Sequence, residues 1–227
     1  MIPTDAPQID ILTISSAVLM IATFGVVVRR GFMDWLRAYR YQTMALSGVT
    51  AIIAYMTGIW EIYIAAALTL IIKAVAIPRV LLRVTSQVKF VARYELNPYI
   101  SVRLSAIISA LLVALAYFLT QQVPFRSDQI LRAYLPVSLS LLFIGMFTMV
   151  NRRVALNQIV GLLIIENGLF LFATALTHGI SLIIEIGVFI DILVGVIISA
   201  ALMTRISHTF DNLNVDNLEH LRDDKEE

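Results

Sequence analysis

The sequence predicts an all-α integral membrane protein with about seven transmembrane helices. Three observations predict it. Of 227 residues, 59% are hydrophobic and only 15% charged, with a mean hydropathy of +0.85, where a soluble domain carries roughly a quarter charged residues. The apolar runs have the length a bilayer asks for, since a hydrocarbon core of about 30 Å takes about 20 helical residues at about 1.5 Å each; they lack the period-two alternation of barrel strands. Lys and Arg, finally, sort onto alternate connections.

In chain order the spans fall near Ile9–Val28, Gln42–Thr57, Trp60–Ile77, Ile100–Thr120, Ala133–Val150, Val154–Thr177 and Ser181–Thr204. The opening residues, MIPTDAPQID, have no basic n-region and no small-residue cleavage site, so the first helix is expected to stay rather than leave as a secretory signal. The second and third spans are divided only by Gly58–Ile59, which leaves two spans or a re-entrant hairpin open. Between the third and fourth, residues 78–99 alternate Val80, Leu81, Val84, Val88 and Val91 with Arg83, Gln87, Lys89 and Arg93. That near-helical spacing predicts an amphipathic segment along the cytoplasmic interface. After Thr204 the tail carries Asp216 as an N-cap candidate for a short helix with Leu218 and Leu221. The expected organisation is a four-helix region over 1–132, a three-helix unit over 133–204 and a cytoplasmic tail over 205–227.

Counting seven spans, thirteen Lys and Arg lie on one side: Arg29, Arg30, Arg37, Arg40, Arg79, Arg83, Lys89, Arg93, Arg152, Arg153, Arg205, Arg222 and Lys225. The other side holds Arg126 and Arg132. Positive charge stays on the cytoplasmic side, so the N-terminus is predicted outside and the C-terminus in the cytoplasm of an inner membrane.

Composition excludes several classes. Cysteine is absent, which removes disulfides, Cys-ligated iron–sulfur clusters and Cys zinc sites. His178, His208 and His220 sit at or beyond helix ends, which argues against a haem held between helices. No metal or other cofactor is expected in this chain. A net charge of +1, with the basic residues confined to loops, gives no reason to expect nucleic acid as a partner.

The chemistry-bearing residues are those a bilayer should reject. A carboxylate at mid-depth costs about 2.5–3.5 kcal/mol on the insertion scale. Glu166 lies near the middle of the sixth span and Asp191 near the middle of the seventh, which face each other across the break at 177–181. The neighbours of Glu166 one turn away, Leu162, Leu163, Leu169 and Phe170, are all apolar, so the acid is either protonated or turned to a partner helix. Asn167 can donate a hydrogen bond to it or hold water. Gly168 permits a close helix approach or a helix defect. Gly187 and Gly195 flank Asp191 at i−4 and i+4 and leave its face smooth for a helix or a water file. Glu185 is roughly 240° around the same helix from Asp191. Lys73, four residues before Ile77, either snorkels to the nearby headgroups or pairs with a carboxylate on another helix. Arg103 and Glu61, nearer span ends, are read as snorkelling and interfacial residues. Glu166 and Asp191, with Lys73 and Glu185 as auxiliary groups, thus suit a proton relay in which a carboxylate alternates between charged and neutral; the competing use is static glue between helices.

Some of these residues also carry a resemblance. The basic turn NRRVALNQ, the pair Gly161–Leu162, Glu166 with Asn167, Asp191 followed by Ile-Leu-Val-Gly, and the tail NLNVDNLEHLR make Tyr134 to about Arg222 resemble the three-helix K subunit of respiratory complex I. With four more helices in front, the whole chain is similar to the hydrogenase-4 component E family, through Glu166-Asn167-Gly168, Glu185-Ile186-Gly187 with Asp191 beyond, and Lys73 with Pro78 five residues on. By position Asp191 matches the second K-type acid. The K-type glutamate would fall at Leu163, so Glu166 lies on a similar face about 4.5 Å along the axis. Glu185 and Lys73 match the hydrogenase family only. The resemblance implies a K-like C-terminal unit and a non-catalytic membrane subunit of a complex-I-like, group 4 NiFe hydrogenase or formate hydrogenlyase. Such a subunit docks in the lipid bilayer against antiporter-like and channel-like partners, and the complex moves protons or sodium. The alternatives are a subunit of a multisubunit cation/proton antiporter, which would ordinarily lack the first four helices, and a scaffold without ion transport.

Overall fold

The computed structural model describes residues 6–29, 31–87, 99–122, 129–152, 155–177 and 195, and every regular element among them is helical. In order these are α1 (Ala6–Val28), α2 (Phe32–Thr57), α3 (Trp60–Leu68), α4 (Ile77–Gln87), α5 (Val102–Gln121), α6 (Gln129–Val150) and α7 (Ala155–Thr177). A π-helical stretch, Thr69–Ala76, joins α3 to α4 without a break. Five segments among the described residues are long and apolar enough to cross a membrane: Asp10–Val28, Trp60–Arg83, Val102–Gln121, Ile130–Val150 and Gln158–Leu176. This is a multi-pass membrane protein. Apart from Gly195, the seventh span, Ser181–Thr204, and the tail expected from the sequence lie outside the described residues, as does 88–98.

The segments show which side meets lipid. On α1, Leu12, Leu19 and Val26, seven residues apart, are buried, while Ile11, Ile14, Val18 and Ile21 are exposed. On α5, Leu104, Ile107, Leu111, Leu115 and Phe118 are all exposed. An apolar exterior of this extent suits a hydrocarbon solvent and not water.

α2 departs from the expected boundary. The basic stretch 29–40 is not a loop; the helix resumes at Phe32 and runs 26 residues to Thr57. Phe32, Trp35, Leu36 and Tyr39 all face inward and are buried, and this one-turn spacing is what a helix needs. Arg37 stays on the outer surface with Asp34, 3.3 Å away. Polar residues in the first half keep α2 out of the five apolar segments, yet it is packed by α1, α3, the π stretch and α7. It ends at Gly58, whose φ of +70° lets its N–H reach Ala54 O at 2.9 Å, the left-handed cap that glycine adopts without a Cβ penalty. The chain turns there into α3, forming a long antiparallel hairpin.

The third span also departs from expectation. Pro78 does not end it, and the amphipathic segment after it begins as α4, continuous with the membrane helix. Proline has no N–H for the carbonyl four residues back, which here is Ala74 O. Arg40 Nε of α2 donates to that carbonyl instead, at 3.1 Å. The widened π turn lies directly before the proline.

α6 and α7 pack most closely. A Cβ on Gly161 would lie 2.6 Å from Met149 N and 2.9 Å from Gly145 O; one on Gly168 would lie 2.9 Å from Ser138 O. Gly168 therefore serves close approach, and the helix defect lies elsewhere. Between the two helices Asn151 accepts from Ile100 N at 2.9 Å and donates to Ser105 Oγ at 3.0 Å, anchoring the start of α5. Arg152, counted from the sequence among the solvated loop charges, is buried and stacks 3.5 Å from the centre of the Trp35 ring. Burial pushes its guanidinium down to about 10, so it stays charged at neutral pH and clamps the α6–α7 turn onto α2.

Candidate functional site

Lys73 and Glu166 form an ion pair in the interior. Lys73 is fully buried and Glu166 is 5% exposed. Glu166 is the twelfth of 23 residues in α7. Lys73 belongs to the segment Trp60–Arg83, so it sits near the centre of that helix and not one turn from its end. Snorkelling had relied on a break at Ile77. Continuity through Pro78 removes that break, and the ammonium stays among protein groups.

The local fold explains the meeting. In a π turn successive residues are rotated differently from those of an α-helix, because hydrogen bonds reach one residue further. Lys73 lies in the middle of this stretch and faces α7. There Asn167 accepts from Lys73 Nζ through Oδ1 at 3.3 Å and donates through Nδ2 to Thr43 Oγ1 of α2 at 3.2 Å. The ring of Phe170, one turn along α7 from Glu166, lies with its centre 4.9 Å from Lys73 Nζ. Carboxylate, amide oxygen and aromatic face together surround one ammonium. Such complementary contacts are what keep a buried charge pair tolerable, since removing two ions from water is otherwise unfavourable.

The expected site residues therefore divide. Lys73, Glu166 and Asn167 come together. Gly168 lies on the opposite face of α7, against α6. Gly195 is helical, while Asp191, Glu185 and Gly187 lie outside the described residues. Sequence reasoning missed Thr43, Phe170 and the fully buried Tyr39, whose polar neighbours are Glu166, Thr43 and Asn167. A helical stripe of Tyr39, Thr43, Ser47 and Thr50 was the available signal, and all four are buried. Among the described residues, no three His, Asp or Glu side chains gather as metal ligands would.

No family model matches the chain, and no solved structure matches it. It is 27% identical over 205 residues to the uncharacterized protein Rv0085 of Mycobacterium tuberculosis, covering 90% of this chain and 93% of that one. It is 32% identical over 117 residues to hydrogenase-4 component E of Escherichia coli K12, and equally to that of Shigella flexneri. That match takes in 52% of this chain and 54% of the relative, so it spans about half the length of the hydrogenase-4 proteins.

Proposed function

We propose that this chain is a membrane-arm subunit of a complex-I-like, group 4 hydrogenase, and that the Lys73–Glu166 pair is a station in an ion path driven by redox chemistry in partner subunits. The single observation that carries the proposal is a buried ion pair at the centre of two membrane-length helices, where neither residue is needed for insertion. The similarity to hydrogenase-4 component E supports the kind of complex.

The pair has two states of equal net charge that differ only in where one proton sits. In the first, ammonium faces carboxylate. In the second, the proton has crossed to Glu166 and the lysine is a neutral amine. Passage between them needs no charge to be left alone in a low-dielectric interior, and that is the physical requirement for a relay. Asn167 holds the ammonium in the first state. Separating the pair, by movement of Lys73 along the Phe170 face, obliges Glu166 to take a proton from elsewhere. Asp191 and Glu185 would extend the path through a seventh span and a K-like unit over 133–204. The N-terminus would then be outside and the C-terminus cytoplasmic in the inner membrane. Antiporter-like and channel-like subunits would receive or supply the ion, a proton or sodium.

The test is Glu166→Gln and Asp191→Asn in the assembled complex, with ion translocation measured against redox turnover. Loss of translocation per turnover supports the relay. Full coupling with both amides in place removes it, and lowered assembly with intact coupling assigns the acids to scaffolding.

A further inference from the structure

Three side-chain oxygens on the elements that meet at the ion pair lack a well-formed hydrogen bond: Tyr39 Oη, Thr69 Oγ1 and Glu166 Oε2. All belong to buried residues, Tyr39 and Thr69 at 0% exposure. Buried polar atoms in native proteins are almost always bonded, to protein or to ordered water. Two contacts fix how the elements that carry them are aligned. Ser47 Oγ donates to Ala66 O at 2.8 Å and Arg40 Nε to Ala74 O at 3.1 Å, which fixes the antiparallel register of α2 against α3 and the π stretch. In that register Tyr39 and Thr43 lie level with Lys73 and Thr69. Asn167, bonded to Thr43, and Glu166, paired with Lys73, close the third side from α7.

Resting on the function proposed above, we infer that the space between α2, the π stretch and α7 is a water site, and that Tyr39 and Thr69 position its water against Glu166 Oε2. The valences match. Water accepts one hydrogen bond from the Tyr39 hydroxyl, donates one to Oε2, and exchanges a third with the Thr69 hydroxyl, which can donate or accept. Glu166 Oε1 faces the ammonium and Oε2 faces water, so the two oxygens divide the work. One holds the resting pair together and the other gains or loses the proton. In each passage the water gives a proton to Oε2 and takes one from a further water molecule on the path, so each O–H bond broken is matched by one formed and the Tyr39 and Thr69 hydroxyls keep their own protons. No electrons change hands. Tyr39 and Thr69 act through the water and are positioning residues.

The experiment uses the full complex in native-lipid vesicles. Hydroxyl-radical footprinting by X-ray radiolysis labels buried residues that hold ordered water. Tyr39 is expected to be labelled despite its burial, and the label is expected to fall to background in Thr69→Val. Ions moved per electron pair are expected to fall about tenfold, the low end for losing a positioned proton-transfer group divided among its supports, in Thr69→Val and Tyr39→Phe. Thr69→Ser, which keeps the hydroxyl, is expected to restore both readouts. Background labelling of Tyr39 in the native complex overturns the water site. Labelling with native coupling in both variants overturns the positioning role. Either failure leaves the function proposed above standing if Glu166→Gln still abolishes coupling; normal coupling in Glu166→Gln defeats that function whatever the labelling shows.

Discussion

α7 has two faces that solve opposite problems. Toward α6 it presents Gly161 and Gly168, seven residues apart and on one stripe, and the backbones approach until no Cβ fits. Toward α2 and the π stretch it presents Glu166, Asn167 and Phe170, with polar and charged partners. In lipid the hydrophobic effect does little to hold helices together, so association comes from close van der Waals packing or from polar contacts. This helix uses one on each side. The close face leaves no room for a side chain; the polar face is filled by long side chains from the π stretch and α7. The contrast teaches that one helix can hold a buried charge pair on one side because close packing of glycines on the other side fixes its position.

The largest expected effect breaks the polar face alone. Lys73→Met leaves an uncompensated carboxylate and should lower stability by about 3–5 kcal/mol, read by thermal unfolding of the full chain in bicelles. Removing both charges, as Lys73→Met with Glu166→Leu, should recover most of that loss; equal losses in single and double variants would show that the charges do not couple. Next comes the close face. Gly161→Ala drives a methyl into the backbone of α6 and should cost about 1–3 kcal/mol, while leaving ion coupling per turnover intact in what assembles. Lost coupling at native stability would mean that the two faces are not separate. Thr43→Val removes the hydroxyl that takes the Asn167 hydrogen bond and should cost about 1 kcal/mol. The smallest effect has the opposite sign. A Cβ on Gly48 meets nothing within 4 Å, so Gly48→Ala in the middle of α2 should stabilise by roughly 0.5–1 kcal/mol. Destabilisation there would mean that glycine in this fold is selected for something besides contact.

Lys73, Glu166 and Asn167 were legible because each violates the apolar rule of its own span, and a violation shows in a linear reading. Their pairing was not, because Lys73 and Asn167 are separated by 94 positions and nothing local ties them. Thr43 and Tyr39 escaped notice for a different reason: next to Arg37 and Arg40 they read as the edge of a loop, and only a helix from Phe32 turns them inward. The π stretch had a trace in the sequence, the missing N–H of Pro78, but a missing donor predicts a break or a kink as readily as a wider turn. What separated these outcomes was a guanidinium from another helix waiting at Ala74 O.

Hydropathy, span length and the identity of the intramembrane charges are properties of short segments against a solvent, and the chain's order of residues was enough to settle an all-helical membrane protein with ionisable groups at depth. Whether those groups point at lipid, at a headgroup or at each other depends on which helices become neighbours and in what register. That is a question of packing between distant segments, and here the answer came from a proline tolerated by Arg40, a π turn that faces Lys73 inward, and a glycine face that holds α7 in place.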